Sequence, residues 1–283
     1  MILIVGGNGQ LGFELQRTAP ADLEVVAIGR PGIDITSADS IDRVLQQYQP
    51  EVVINVAAYT NVDKAESETS LAWEVNCTGA ENLAQAAAKA AIRLIHVSTD
   101  FVFDGGSCRP RLPQEATAPR SVYGKSKLAG EQAVLQHCGN SLVVRTSWLY
   151  SSHGHNFVKT MLRLMAEKDS LGVVVDQVGT PTWAKLLAEV IWDLQATDAT
   201  GLFHCSNNGV ASWYDFAVAI QEEAVSIGLL EKMIAVKPIR TEAYPLPAER
   251  PAYSVLDVSA TEQLLGRQLP HWRESLRSML LEM

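Results

Sequence analysis

Tyr123-Gly-Lys-Ser-Lys127 puts a phenol and an amine four residues apart. On a helix such a pair shares one face, one turn apart. A free phenol, with a pKa of about 10, is a poor acid–base group near neutrality. An ammonium roughly 4 Å away contributes about 4 kcal/mol at an effective dielectric near 20. By that reckoning the lysine would lower the phenol's pKa by about three, into a useful range. A carbonyl substrate would also need a hydroxyl to hold it. His96-Val-Ser98-Thr99-Asp100 supplies one at the end of an apolar run, with Thr99 as the carbonyl-orienting candidate and Asp100 beside it. Taken alone, a Tyr and Lys at this spacing could equally be a solvated helix face.

A second group of residues points to what such a pair would work with. Ile2-Leu-Ile-Val-Gly6-Gly-Asn-Gly9-Gln-Leu-Gly12 reads as strand, turn and helix start. Gly6 permits a sharp turn, Gly9 lets backbone approach a pyrophosphate, and Gly12 lets the helix pack against the strand. The helix N-terminus then offers free N–H groups and partial positive charge to phosphates. A tight turn in an ordinary α/β domain is the competing explanation. If a dinucleotide binds, Lys127 can also hydrogen-bond the nicotinamide ribose. The second strand ends in Gly29-Arg30 rather than an acidic residue. Arg30 could meet a ribose 2′-phosphate, which favours NADPH and leaves NADH possible; a merely solvated Arg30 is the alternative. Asp34 and Ile35 would flank the adenine. The small residues of Asn55-Val-Ala57-Ala58-Tyr59-Thr60 suit a cofactor crossing the strand end, although close packing alone would explain the alanines.

The elements that must carry these groups are a βα series. Apolar runs Ile2–Val5, Glu24–Ile28, Val52–Ala58, Leu94–Ser98 and Leu142–Tyr150 predict strands. Gly9–Thr18, Ser37–Tyr48, Ala65–Ala91 and Tyr123–His137 predict helices between them, with Ser37 as an N-cap. Continuous rather than alternating apolar strands imply burial on both faces. The expected fold is α/β, a Rossmann-type doubly wound parallel sheet over residues 1–150. Residues 151–283 are expected to form mainly a smaller substrate-binding lobe, with later segments free to return to the sheet. Helical patterns there cover Asn156–Lys168, Ala184–Leu194, Trp213–Ile227 and Trp272–Leu281, separated by Pro-rich loops such as 244–251. Trp183, Trp192 and Trp213 are expected in the core.

Composition narrows the classes. The chain is 47% hydrophobic and 19% charged with a net charge of −9, an ordinary globular profile. An acidic chain is a poor nucleic-acid binder, because that binding rests on neutralising phosphates. No apolar run approaches the roughly 20 residues of a membrane span. Cys77, Cys108, Cys138 and Cys205 are widely spaced, which suggests reduced thiols rather than disulfides or zinc. With no targeting pattern in the first residues, the expectation is a cytoplasmic monomer or homodimer. His153-Gly-His155 looks like a metal pair but has no acidic or cysteine partner at ligand spacing, and is expected to be loop or surface.

Together these motifs resemble the extended short-chain dehydrogenase/reductase superfamily. Val62-Asp-Lys-Ala-Glu66, Ser98-Thr-Asp-Phe-Val-Phe103, Arg145-Thr-Ser-Trp-Leu-Tyr150, Asn156-Phe-Val-Lys-Thr-Met161, Asp176-Gln-Val-Gly-Thr-Pro-Thr182 and Arg250-Pro-Ala-Tyr-Ser254 are similar to the dTDP-4-dehydrorhamnose reductase family within it. The resemblance runs from the first strand to the final helix. It implies reduction of the 4-keto group of a dTDP-linked deoxy-keto-sugar. It further implies Tyr123 as proton donor, Lys127 as its electrostatic partner and Thr99 as carbonyl orienter. Asp100 and Trp148 would contact the sugar nucleotide, and Gly9, Gln10, Leu11, Ala58, Tyr59 and Thr60 the cofactor. Arg250 is a candidate for the substrate pyrophosphate, with a structural salt bridge an equal reading.

Two departures matter. Dehydratases of the superfamily carry an acid directly after the Thr-Asp pair, where this chain has Phe101, so dehydration is disfavoured. Some members of the family dimerise through magnesium on three glutamates. Glu14 and Glu282 match two of them, but Lys185 stands at the third, so no structural magnesium is expected; plain surface carboxylates are the other reading of Glu14 and Glu282. Another sugar-nucleotide reductase or epimerase is the near alternative, separable by product stereochemistry. A non-catalytic NADP-binding regulatory subunit is the distant one, and would bind cofactor without oxidising it.

Overall fold

In the computed structural model, which describes residues 1–283, the chain begins as a strict β/α alternation. β1 (Ile2–Val5), α1 (Gln10–Arg17), β2 (Val25–Ile28), α2 (Ala38–Tyr48) and β3 (Val52–Asn55) come first. α3 (Val62–Ala65), α4 (Thr69–Trp73), a π-helical turn (Glu74–Thr78) and α5 (Gly79–Lys89) lead to β4 (Arg93–Thr99). A 3-10 turn (Asp100–Val102), α6 (Val122–His137) and β5 (Ser141–Thr146) complete this part. Beyond it lie β6 (Leu149–Tyr150), α7 (Phe157–Glu167), β7 (Ser170–Val174), β8 (Val178–Gly179), β9 (Thr182–Trp183), α8 (Ala184–Gln195) and β10 (Gly201–His204). β11 (Ala211–Ser212), α9 (Trp213–Ser226), β12 (Ala235–Ile239), α10 (Ser259–Leu265) and α11 (Trp272–Leu280) end the chain.

Six strands form one parallel sheet in the order β10-β5-β4-β3-β1-β2. Its inner strands β1, β3, β4 and β5 are buried on both faces, as their continuous apolar runs require, while the edge strands β2 and β10 are half-buried. Ile2, Ile4, Ile54, Ile95, Leu142 and Val144 join one core with α1 and α8. Their alternates Leu3, Val5, Val53, Leu94 and Val143 join a second core with α2 and α5. The strand order reverses at β1, between β2 and β3. A crevice at the C-terminal strand ends is the physical consequence of such a reversal, because the connections leave in opposite directions.

Several expected elements differ. The helix foreseen over 65–91 is broken into α4, the π turn and α5, because the π turn packs against α6. The strand foreseen over 142–150 divides at Trp148, which adopts φ +45°. β10 lies beyond residue 150 yet extends the main sheet alongside β5. β7 pairs in parallel with β12 in a separate two-stranded sheet that periodicity gave no sign of. No helix is long and apolar enough to cross a membrane.

Candidate active site

A cavity of about 980 Å³ follows the C-terminal edge of the sheet. Every residue put forward from the sequence for catalysis, cofactor or substrate lines it. Gly6, Gly9, Gln10, Leu11 and Gly12 form the turn after β1, and Arg30, Asp34 and Ile35 follow β2. Ala57, Ala58, Tyr59 and Thr60 follow β3. Thr99, Asp100, Tyr123, Lys127 and Trp148 occupy the β4–β5 end, and Arg250 reaches in from the C-terminal part.

The glycine turn is sterically determined. Gly6 sits at φ +98°, and a Cβ there would fall 2.6 Å from the Ala57 nitrogen. A Cβ on Gly12 would fall 2.4 Å from the Gly6 carbonyl oxygen. α1 is N-capped by Gly9, which has no side chain to satisfy the first helical amides. Those amides are therefore left for an anionic ligand, and the turn fits a dinucleotide pyrophosphate. At the next wall Arg30 is exposed. The Asp34 carboxylate instead accepts from the Thr36 amide and hydroxyl at 3.0 and 2.7 Å, and these bonds hold it below the usual carboxylate range. The Tyr59 backbone is clamped on both sides by Asn76: its N–H donates to Oδ1 at 2.8 Å and its carbonyl accepts from Nδ2 at 3.0 Å.

Three of the candidates, Thr99, Tyr123 and Lys127, line the cavity where the end of β4 meets the start of α6. Ser121 caps that helix by accepting from the Gly124 amide at 3.1 Å, and Glu66 accepts from the Val122 amide at 2.8 Å. Burial pushes the Tyr123 phenol up to about 12, against the pull of the Thr99 hydroxyl, with Asp100 adding to the rise. Burial also pushes Lys127 down to about 8, with Glu131 opposing. The lysine Nζ donates to the Val97 carbonyl at 2.7 Å. This corrects the electrostatic expectation from the spacing. Desolvation raises Tyr123 above the ordinary phenol value, opposite to the lowering expected from the lysine, so the side chain is a neutral phenol near neutrality. Asp100 is buried and pushed up to about 6 by desolvation. Its Oδ1 accepts from the Thr99 hydroxyl at 3.1 Å, while Oδ2 has no hydrogen-bond partner. Phe101 packs edge-on against Tyr123, with ring centroids 5.5 Å apart, so no acid–base group sits at that position.

With the geometry in view, the comparisons with known proteins are specific. A family model described as the RmlD substrate binding domain matches residues 1–283. This chain belongs to that family. A dTDP-4-dehydrorhamnose reductase of Escherichia coli (strain K12) is 39% identical over 291 residues, covering 100% of this chain and 97% of that protein. The spore coat polysaccharide biosynthesis protein SpsK of Bacillus subtilis (strain 168) is 40% identical, covering 99% and 97%. The crystal structure of a dTDP-4-dehydrorhamnose reductase from Bacillus anthracis str. Ames, in complex with NADP, superposes with a TM-score of 0.94 at 38% identity over 100% of this chain and 99% of that one.

Other features of this RmlD-family chain depart from the sequence expectations. Trp183 and Trp192 are core, but Trp213 lines the cavity and stacks on Trp148 at 3.5 Å with 4° between planes. Its position as the first residue of α9 is what brings it there, and single-chain periodicity does not show that. Arg250 lines the cavity and also makes a bidentate pair with Asp63, at 3.0 and 2.8 Å, so the salt bridge is real and the cavity contact remains open to it. His153 stacks on Phe13, while His155 lines the cavity. Glu14 is not a surface carboxylate: it is fully buried and accepts from Ser151 at 2.7 Å and Arg17 at 2.8 Å. Glu282 pairs with Lys185 and Arg17, at 2.9 and 2.8 Å.

Proposed function

We propose that this RmlD-family chain is an NADPH-dependent oxidoreductase that reduces the 4-keto group of dTDP-4-dehydro-L-rhamnose to give dTDP-L-rhamnose. One observation carries the reading: Tyr123, Lys127 and Thr99 converge on a cavity that the glycine turn also lines. The full-length likeness to dTDP-4-dehydrorhamnose reductases supports it.

The glycine turn and the α1 amides would hold the cofactor pyrophosphate, Arg30 would be available to a 2′-phosphate, and Ala57 to Thr60 would bound the nucleotide along β3. The bound nicotinamide supplies the hydride. Thr99 holds the sugar carbonyl, and Tyr123 donates its proton to the alkoxide oxygen as the carbonyl is reduced. Lys127 lowers the cost of the phenolate left behind and orients the ribose. Asp100 and Trp148 contact the sugar nucleotide, Arg250 its pyrophosphate. Residues 151–283 add to the substrate side through Trp148's partner Trp213 and through Arg250. The protein's share is positioning and electrostatics.

The test is a spectrophotometric assay of NADPH and NADH oxidation with the dTDP-linked keto-sugar, comparing wild type with Tyr123→Phe. The variant is expected to lose most turnover, at least ~100-fold as for a general acid, with NADPH affinity nearly intact. Near-wild-type turnover in that variant would overturn the assignment.

A further inference from the structure

The helix that carries Tyr123 and Lys127 carries a third ionisable side chain in the same row. Glu131 follows Lys127 by four residues, as Lys127 follows Tyr123, so the three form one ridge along α6. Lys127 and Glu131 are both 2% exposed. Glu131 is tied down by Arg145 of β5, whose Nε donates to Oε2 at 2.9 Å and whose Nη2 donates to Oε1. Arg145 is equally buried, and its remaining contacts are the Pro113 carbonyl at 3.0 Å and His204 Nε2 at 3.4 Å. A carboxylate gripped at both oxygens by a guanidinium cannot swing away from the helix.

We propose that Glu131, clamped by Arg145, is a positioning residue for the reaction: it is the fixed buried counter-charge that keeps the catalytic Lys127 an ammonium. The proposal rests on the reading of Lys127 given above. A buried amine with no counter-charge sheds its proton. The groups around Lys127 leave few candidates for that charge. On its own helix stand Tyr123, a neutral phenol, and Glu131. β4 brings His96, held neutral by burial, and the 3-10 turn after it brings Asp100, pushed up to about 6. β4 also carries Arg93, which is spent on the carbonyls of Gln195 and Ala199. β5 brings Arg145. From α3, Asp63 has a side chain 30% exposed and so is screened by solvent, and Lys64 is a further cation. The π turn carries Glu74 and Cys77, and α5 carries Glu81, which pairs with His137, and Lys89. Of all these, Glu131 is the one that raises Lys127 against its burial. The Val97 carbonyl, accepting from Nζ at 2.7 Å, fixes direction but supplies no net charge.

The test is the pH dependence of kcat for NADPH oxidation with the dTDP-keto-sugar. In wild type, activity should fall on the alkaline side as Lys127 loses its proton. Glu131→Gln should move that alkaline limb down by about one pH unit or more, so that activity lost at pH 8 returns at pH 6. Glu131→Asp, which keeps the charge, should keep the limb near the wild-type position. Because Glu131→Gln strands the Arg145 charge, the double variant E131L/R145M serves as a second probe that removes both charges; its limb should also lie low. An alkaline limb that coincides with wild type in a folded E131Q or double variant, with kcat lowered equally at every pH, overturns the proposal and leaves Glu131 a purely structural anchor. Lys127→Met separates the two readings: near-wild-type turnover in that variant would remove the catalytic role of Lys127 itself, whatever the Glu131 variants do.

Discussion

The buried cavity side chains Lys127 and Asp100 are held in ionisation states that cost stability. Burial moves Lys127 down to about 8, so between pH 8 and the usual lysine range the unfolded chain binds a proton that the folded chain lacks. Stability from this group therefore rises with pH through that window, and below it the buried ammonium is a fixed cost. Lys127→Met should abolish most turnover at pH 7 yet raise the melting midpoint by about 2–4 °C for each kcal/mol recovered, as a thermal melt would read. Asp100 carries the opposite sign. Its carboxyl is raised to about 6, so the folded chain binds the extra proton. Stability falls as pH climbs from the usual carboxylate range to about 6, and the cost is constant above that. Asp100→Asn, with an amide of the same shape, should melt at or above the wild-type temperature at pH 8 and lose that advantage at pH 4. A lower midpoint at pH 8 would mean the carboxylate is better satisfied than its unpaired Oδ2 indicates.

At the scale of elements, the glycine turn and the start of α6 set the geometry. Gly12→Ala must push a Cβ toward the Gly6 carbonyl oxygen, 2.4 Å from where it would stand. Backbone cannot yield there without opening the turn that lines the pyrophosphate. The expected result is a loss of NADPH affinity of roughly 10-fold or more together with a destabilisation of about 1–3 kcal/mol, the usual range for overpacking, measured by fluorescence titration and denaturant unfolding. Trp148 is a different case. Its backbone is held at φ +45°, which a non-glycine residue tolerates only when its surroundings impose it. The imposing partners are the Trp213 stack and Gly179, where a Cβ would stand 2.6 Å from the Trp148 indole. A strained aromatic at the cavity wall is thus a property of three separate elements, β6's approach, β8 and α9.

At the scale of the molecule, the C-terminal part contributes to the site through contacts across the sheet edge. Arg250 and Asp63 lie 187 residues apart and pair bidentately, which ties the 244–251 segment to α3. Arg250→Met should raise the KM for the sugar nucleotide roughly 10- to 100-fold, the range for losing charge-assisted hydrogen bonds, while NADPH affinity stays unchanged. A KM that does not move would leave Arg250 as a tether only.

Much of this molecule was legible from sequence because the signals are local. A short apolar run such as Ile2–Val5, ended by a glycine turn, reads as a strand buried on both faces, and Gly6 and Gly12 answer steric demands made within one turn. Tyr123, Lys127 and Thr99 were readable for the same reason, since helix period and strand ends are local geometry. Pairings across the chain were not legible. Nothing in Gly201–His204 says that it joins β5, in Trp213 that it stacks on Trp148, or in Glu14 that Ser151 and Arg17 bury it. Residue types fixed which groups could do chemistry. Tertiary packing decided their charge: burial, which no residue spacing reports, raises the phenol and lowers the lysine.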